Sequence, residues 1–224
     1  MPERVSFKTL DGVTIVGDWV AAPTTIGAAI LLHMMPTDRR SWAPFQAVLA
    51  SRGVASLAID GRGHGDSTKG PEGAQVDFRN FSDEEHQSSL YDVIGAFDWV
   101  KRRGFEVKHI AICGASIGAN LAVEMLLEEP ILAGAALLSP GKDYHGMDAV
   151  FDVASVLPHQ SLWIAASEGD DQESFEDSKK VSEKSVSERK ELVLLKNAGH
   201  GTNMLASTPN MMERLADWLR DVVR

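Results

Sequence analysis

The 224 residues contain one cysteine, Cys113. No intramolecular disulfide can form, and metal sites built from several thiolates are excluded. Positive charge is also scarce: 22 Lys and Arg stand against 32 Asp and Glu, a formal net charge of −10. Phosphate backbones and anionic lipid surfaces require clustered cations, so neither a nucleic-acid nor a membrane partner is expected. No window of about 18 apolar residues occurs, and Met1 runs into Val5, Phe7 and Leu10 without a basic head or an apolar leader. These absences make the cytoplasm the expected compartment. A Walker loop, a dinucleotide fingerprint and a metal-ligand cluster are all missing, so no cofactor and no metal is expected.

What is present suffices for one core. With 44% hydrophobic residues, a chain of this length reads as a single domain over residues 1–224. Short apolar runs bounded by Gly, Asp or Pro recur at 14–20, 28–33, 54–60, 107–114, 134–139, 161–166 and 191–196, the pattern of strands buried on both faces of a parallel sheet. Helical patterns lie between them at 44–51, 117–128, 173–187 and 210–223. Another helix is predicted from a capping box at Ser82 and Glu85, through Leu90, Ile94, Phe97 and Lys101, to Gly104. Asp11 and Gly12 separate the apolar runs 5–10 and 14–20 as a hairpin turn would. The alternation predicts an α/β fold with a mostly parallel, doubly wound sheet, an antiparallel N-terminal hairpin and helices on both faces.

Gly114, Ala115, Ser116, Ile117 and Gly118 spell Gly-x-Ser-x-Gly, directly after an apolar run and directly before a helical one. That is the setting of a nucleophile elbow. Small neighbours clear the space around a strained serine, and the helix that begins at Ile117 offers free backbone N–H groups where negative charge develops during acyl transfer. Taken alone, the motif is equally consistent with a serine capping a helix at a glycine-rich turn.

The rest of the chain changes that balance. Asp60-Gly61-Arg62-Gly63-His64-Gly65-Asp66-Ser67 is similar to the Asp-x-Arg-Gly-x-Gly-x-Ser turn after the fourth strand of the α/β-hydrolase superfamily, and Ser41-Trp42 before the following helix matches its style. The chain resembles that superfamily over nearly its whole length, in particular its esterase and dienelactone-hydrolase-like serine hydrolases, although the dienelactone hydrolases' nucleophilic cysteine is absent at the elbow. The resemblance implies Ser116 as nucleophile and His200, within Asn197-Ala198-Gly199-His200-Gly201, as general base. It implies Asp170 as the acid that orients the histidine. The usual spacing after that strand is departed from here, and Asp171 and Asp143 stay open as alternatives. His64 reads as structural, and His86 and His109 as surface or strand-edge residues.

Family members carry His-Gly after the third strand, whereas this chain has His33-Met34-Met35-Pro36. By position, Met35 and Ile117 supply the oxyanion-hole N–H groups. Met34, Met35, Trp42, Tyr144, Met147 and Met204 are the residues available for an apolar acyl pocket. Only the connection 141–159 stands where relatives insert a cap, too short for a helical domain with its own core. The implied function is cleavage of a small carboxylic ester, thioester or lactone through an acyl-enzyme. A small-molecule ester is then the partner, and the oligomeric state stays open. Peptide hydrolysis or perhydrolysis by the same residues, and a silent small-molecule-binding protein on the same fold, are the alternatives.

Overall fold

The computed structural model describes residues 2–169 and 171–224. Among them the strands are β1 (Glu3–Lys8), β2 (Thr14–Val20), β3 (Gly27–Leu32), β4 (Val54–Ile59), β5 (Ile110–Ala115), β6 (Gly134–Leu138), β7 (Ser161–Glu168) and β8 (Lys190–Lys196). They form one sheet in the order β1-β2-β4-β3-β5-β6-β7-β8. The Asp11-Gly12 hairpin pairs β1 antiparallel to β2, and β2 lies antiparallel to β4. From β4 to β8 all neighbours are parallel. The α/β-hydrolase topology expected from the sequence is therefore present.

The helices are α1 (Ala43–Ser51), α2 (Asp83–Gln87), α3 (Leu90–Arg102), α4 (Ile117–Glu128), α5 (Ala149–Asp152), α6 (Gln172–Lys184), α7 (Asn203–Ser207) and α8 (Met211–Val222). Strands β3 to β6 are buried at every position, which is why they read as continuous apolar runs rather than alternating ones. One core layer packs Trp42, Phe45 and Leu49 of the α1 region and Leu215 and Trp218 of α8 against the sheet. The other packs Phe97 and Val100 of α3 and Leu121, Ala122 and Leu126 of α4 against the opposite face. After β3 the chain moves outward to β4 and then returns to the other side of β3 as β5. The connections diverge at that point, which leaves a crevice at the C-terminal ends of β3 and β5.

Three local expectations need correction. Residues 107–109 form a 3₁₀ turn, and the strand starts only at Ile110. The helix predicted from Ser82 to Gly104 is two helices with Ser88 and Ser89 between them. The capping box at Ser82 and Glu85 is present, but the Ser88 hydroxyl bonds back to the Glu84 carbonyl at 2.8 Å, an interaction by which serine competes with the helical ladder. Helix α7, immediately after the His200 loop, has no counterpart in the sequence reading.

The 141–159 connection holds α5 and a 3₁₀ turn at Val153–Ser155. Asp148 caps α5 by accepting from Phe151 N–H at 2.9 Å. Val150 and Val153 are buried in the core shared with α4, while Phe151 is 71% exposed. Among the described residues no helix is long and apolar enough to cross a membrane.

Candidate active site

Ser116 stands at the junction of β5 and α4, inside the crevice. Its backbone angles are φ 55° and ψ −124°, a region that side chains with a Cβ rarely adopt, and strain of this kind costs on the order of 1–3 kcal/mol. The surroundings hold it there. Ser116 N–H donates to Leu138 O on β6 at 2.8 Å, and Ser116 O accepts from Ala119 N–H at 2.7 Å. The two glycines of the motif are required by contact: a Cβ on Gly114 would collide with the Gly118 carbonyl, and one on Gly118 would press on the Leu32 and His33 carbonyls. The start of α4 is thereby packed against the end of β3. This brings Ile117 next to the loop that carries Met35.

That loop is fixed without the family's glycine. Met34 has an ordinary backbone conformation, and its carbonyl accepts from Thr37 N–H at 2.9 Å and from the Thr37 hydroxyl at 2.7 Å. His33 Nδ1 lies 3.0 Å from the same carbonyl, and His33 Nε2 accepts from Gly61 N–H at 3.0 Å. The two bonds together define the neutral tautomer with the proton on Nδ1, and burial holds the ring's pKa below the usual imidazole range. Among the described residues neither Met35 N–H nor Ile117 N–H is engaged with a protein acceptor.

The Asp60–Ser67 turn buttresses this arrangement from below. The Asp60 carboxylate, completely buried, accepts from Arg39 N–H at 2.8 Å and from Asp66 N–H at 2.7 Å, and pairs with the Arg39 guanidinium. Arg39 also reaches Asp18 at 3.0 Å and Asp66 at 2.9 Å. Its residue begins the 3₁₀ turn that follows the Met35 loop, so the buried network ties β4 to that loop. Removing one member of such a pair leaves the other without its main counter-charge. Asp60→Ala should therefore lower the unfolding free energy by about 3 kcal/mol, read from urea denaturation with the slope unchanged. A loss below about 1 kcal/mol would mean that Asp18 and Asp66 already satisfy Arg39.

His200 is positioned from the opposite side. Gly201 N–H, the next residue, donates to Ser139 Oγ at 3.0 Å at the end of β6, and Gly201 packs on Ala115 and Met34. His200 Nδ1 is 2.9 Å from Asp171 Oδ2, although the two are not aligned as a hydrogen bond. Burial holds the imidazole below its ordinary pKa, and the Asp171 charge works in the other direction. Asp171 is itself anchored as the N-cap of α6, where its Oδ1 accepts from Ser174 N–H at 3.1 Å. Asp170, the residue favoured from the sequence, lies outside the described residues. Asp143 is engaged elsewhere, accepting from Gly146 N–H at 2.8 Å.

The pocket residues named from the sequence divide. Trp42 and Met204 are fully buried in the core on the α1 and α8 face, and Met34 packs beneath the His200 loop. Met147 is buried on the other face, and its carbonyl accepts from the Asn120 amide at 2.9 Å. Tyr144 is the one of this group near the nucleophile: its hydroxyl donates to the Ser139 carbonyl at 3.4 Å, and burial pushes its pKa up to about 12. Asn120 of α4 holds the segment that carries it, donating to Gly141 O at 2.8 Å and accepting from Gly141 N–H at 3.1 Å.

A small cavity of about 40 Å³ opens beside Met35 and Ile117. At about 10–15 Å³ for each water, that is room for roughly three. Leu32, Ile59, Val93 and Leu121 form apolar walls, and His33, His64, His86, Ser89 and Asp92 add polar groups. His86 is not the surface residue expected. It is 4% exposed, because α2 folds back over the crevice and the ring stacks on His145 at 3.7 Å. No local signal in the sequence marks this, since the stack joins segments about sixty residues apart. Among the described residues no cluster of three or more His, Cys, Asp or Glu is placed to hold a metal ion.

Comparison with known proteins agrees with this fold. A family model described as "Serine aminopeptidase, S33" matches residues 25–164. The α/β-hydrolase GrgF of Penicillium sp. sh18 superposes with a TM-score of 0.81 at 18% identity, over 100% of this chain and 99% of that one. An esterase of Pyrococcus furiosus gives 0.77 at 18% identity, over 100% and 93% of the two chains. A dienelactone hydrolase of Anabaena variabilis gives 0.70 at 17%, over 98% and 96%. At such identities the likeness to these structures is one of fold. No protein of curated function is similar to the chain in sequence.

Proposed function

We propose that this chain, which belongs to the serine aminopeptidase S33 family of the α/β-hydrolase superfamily, is a serine hydrolase that cleaves small carboxylic esters, thioesters or lactones through an acyl-enzyme. The observation that carries the reading is the strained Ser116 at the β5–α4 junction, with His200 and Asp171 paired at 2.9 Å on the loops that follow β8 and β7. Ser116 Oγ attacks the carbonyl carbon while His200 takes its proton, and Asp171 stabilises the imidazolium that forms. Met35 N–H and Ile117 N–H receive the charge on the carbonyl oxygen. The protonated histidine then donates to the leaving group, and water releases the acid by the reverse sequence.

The cavity wall favours an ester over a peptide with a free amino terminus. Its one carboxylate, Asp92, accepts from Arg62 N–H at 2.8 Å, from Arg62 Nε at 3.0 Å and from Nη2 at 2.8 Å. Among the described residues no carboxylate remains there to pair with an ammonium.

The base must be neutral to act, and its pKa is depressed, so kcat/KM should rise with pH and level off at a midpoint below the 6.5 or so of a free imidazole. A pH profile with nitrophenyl acetate measures this. An acid limb centred well above 6.5 would contradict the assignment of His200.

Short acyl chains should be preferred. The cavity is small, and α5 is packed against the body of the protein rather than over the mouth. A longer chain leaves methylenes in water, each forfeiting about 0.8 kcal/mol of binding. Across nitrophenyl esters from acetyl to palmitoyl, kcat/KM should peak at or below about six carbons. A rise that continues past ten would reveal a tunnel.

A further inference from the structure

Ser116 shares its φ of 55° with a second serine, Ser139, which ends β6, the strand beside β5. The two are held alike. Ser116 N–H donates to Leu138 O across β5 and β6, and Ser139 N–H donates to Ala165 O across β6 and β7 at 2.7 Å. A residue with a Cβ keeps such a conformation only where its surroundings impose it, and glycine would hold it without strain. What serine adds over glycine at this buried position is a hydroxyl.

That hydroxyl oxygen accepts from the N–H of Gly201, the residue after His200, at 3.0 Å. The contact lies where the loop is tightest: a Cβ on Gly201 would press on Met34 Sδ and on Ala115 Cβ, the neighbour of the nucleophile. On the other side of His200, Ala198 N–H donates to Ser167 Oγ, near the end of β7, at 2.8 Å. The loop itself is irregular, with Asn197, Gly199 and Gly201 all at positive φ, so these bonds to neighbouring strands set its path. Of the two serines, Ser139 is the nearer to His200 in sequence, and its strand pairs with that of the nucleophile. We propose that Ser139 is a positioning residue, whose hydroxyl holds Gly201 N–H and thereby keeps the His200 imidazole where it serves Ser116. The proposal rests on the serine-hydrolase reading and deepens it: one left-handed serine presents the nucleophile, and its neighbour across the sheet sets the base.

Two substitutions separate the hydroxyl from the fold. Ser139→Ala removes it and keeps the strained backbone, whereas Ser139→Gly removes it and relaxes the backbone, so the glycine variant carries the test if the alanine one does not fold. Each should lower kcat for nitrophenyl acetate by about 30-fold, in line with the roughly 10² that a shift of about 1 Å at a reacting group can cost. KM should stay within about twofold, because acylation and deacylation both pass through His200. Labelling of Ser116 by a fluorophosphonate should slow by the same factor of about 30. In a His200→Ala background the added Ser139→Gly should slow that labelling by less than about twofold, since a residue that acts through the imidazole has nothing to act on once the imidazole is gone. A fall in kcat of less than about threefold, or an equal slowing of labelling with and without His200, overturns the proposal and leaves the esterase reading intact. Absence of hydrolysis by the unaltered protein overturns both.

Discussion

Ser116→Ala should leave a folded protein whose kcat/KM for nitrophenyl acetate is lower by about 10⁵–10⁶. The size follows from the way such a site works: the nucleophile, its base and the acid act as a unit, and loss of the serine removes nearly all that the unit contributes. The residue left behind is the oxyanion site, which alone sustains a small acceleration over water. Stability is the control that separates chemistry from folding. Ser116 sits at φ 55° and ψ −124°, and alanine bears the same Cβ, so the backbone strain is the same and Tm should move by only a few degrees. The Tyr144 hydroxyl beside Ser116 donates to the Ser139 carbonyl at 3.4 Å. Tyr144 therefore keeps an acceptor in the variant, which is a further reason to expect a fold intact enough to measure. A fall of less than about tenfold would mean that the reaction runs through another residue.

Asp171→Asn should lower kcat by about 10³–10⁴. An asparagine presents either an amide N–H₂ or a carbonyl to His200 Nδ1 but no charge, so it favours the wrong tautomer and leaves the imidazolium unsupported in the transition state. The direction of a second readout is fixed by the same contact. Asp171 raises the pKa of His200 against the effect of burial, so whatever activity remains should show its acid limb at lower pH than the unaltered enzyme. Asp170→Asn and Asp143→Asn are the comparisons. Asp143 accepts from Gly146 N–H within its own turn, and its replacement should cost little activity. If Asp170→Asn produced the large loss and Asp171→Asn a small one, the acid would be the residue one position earlier.

The difference between these two aspartates shows where the sequence stops being informative. Both follow Gly169 and both stand before a helical pattern, so composition and spacing treat them alike. How a carboxylate reaches His200 depends on the backbone path from β7 into α6; the N-cap position brings Asp171 within 2.9 Å of the imidazole, and Asp170 lies outside the described residues. Ser116 is different because everything that frames it is local: five residues, a buried strand before and a helix after. The sheet is legible for a similar reason. Buried parallel strands read as unbroken apolar runs, and their order follows from the alternation with helices.

The cavity is the least legible part. Trp42 and Met204 resemble pocket residues in composition, yet both are completely buried in the core behind the sheet. Nothing in a sequence says which face of the sheet a loop residue will meet. His86 and His145 stack across the crevice although 58 residues lie between them, and His64 meets Phe78 only because the turn after β4 folds back on itself. These are long-range contacts made by irregular segments, and neither periodicity nor a motif encodes them.

The most direct test of the central claim is covalent. After incubation with an ethoxy-fluorophosphonate, the intact protein should gain the mass of one phosphonyl group, and proteolytic mapping should place it on Ser116. Ser116→Ala should gain none, and His200→Ala should be labelled more slowly by at least about 10³, because the hydroxyl then lacks its base. Absence of any adduct on the unaltered protein, an adduct on another serine such as Ser139, or equal labelling of Ser116→Ala would contradict it.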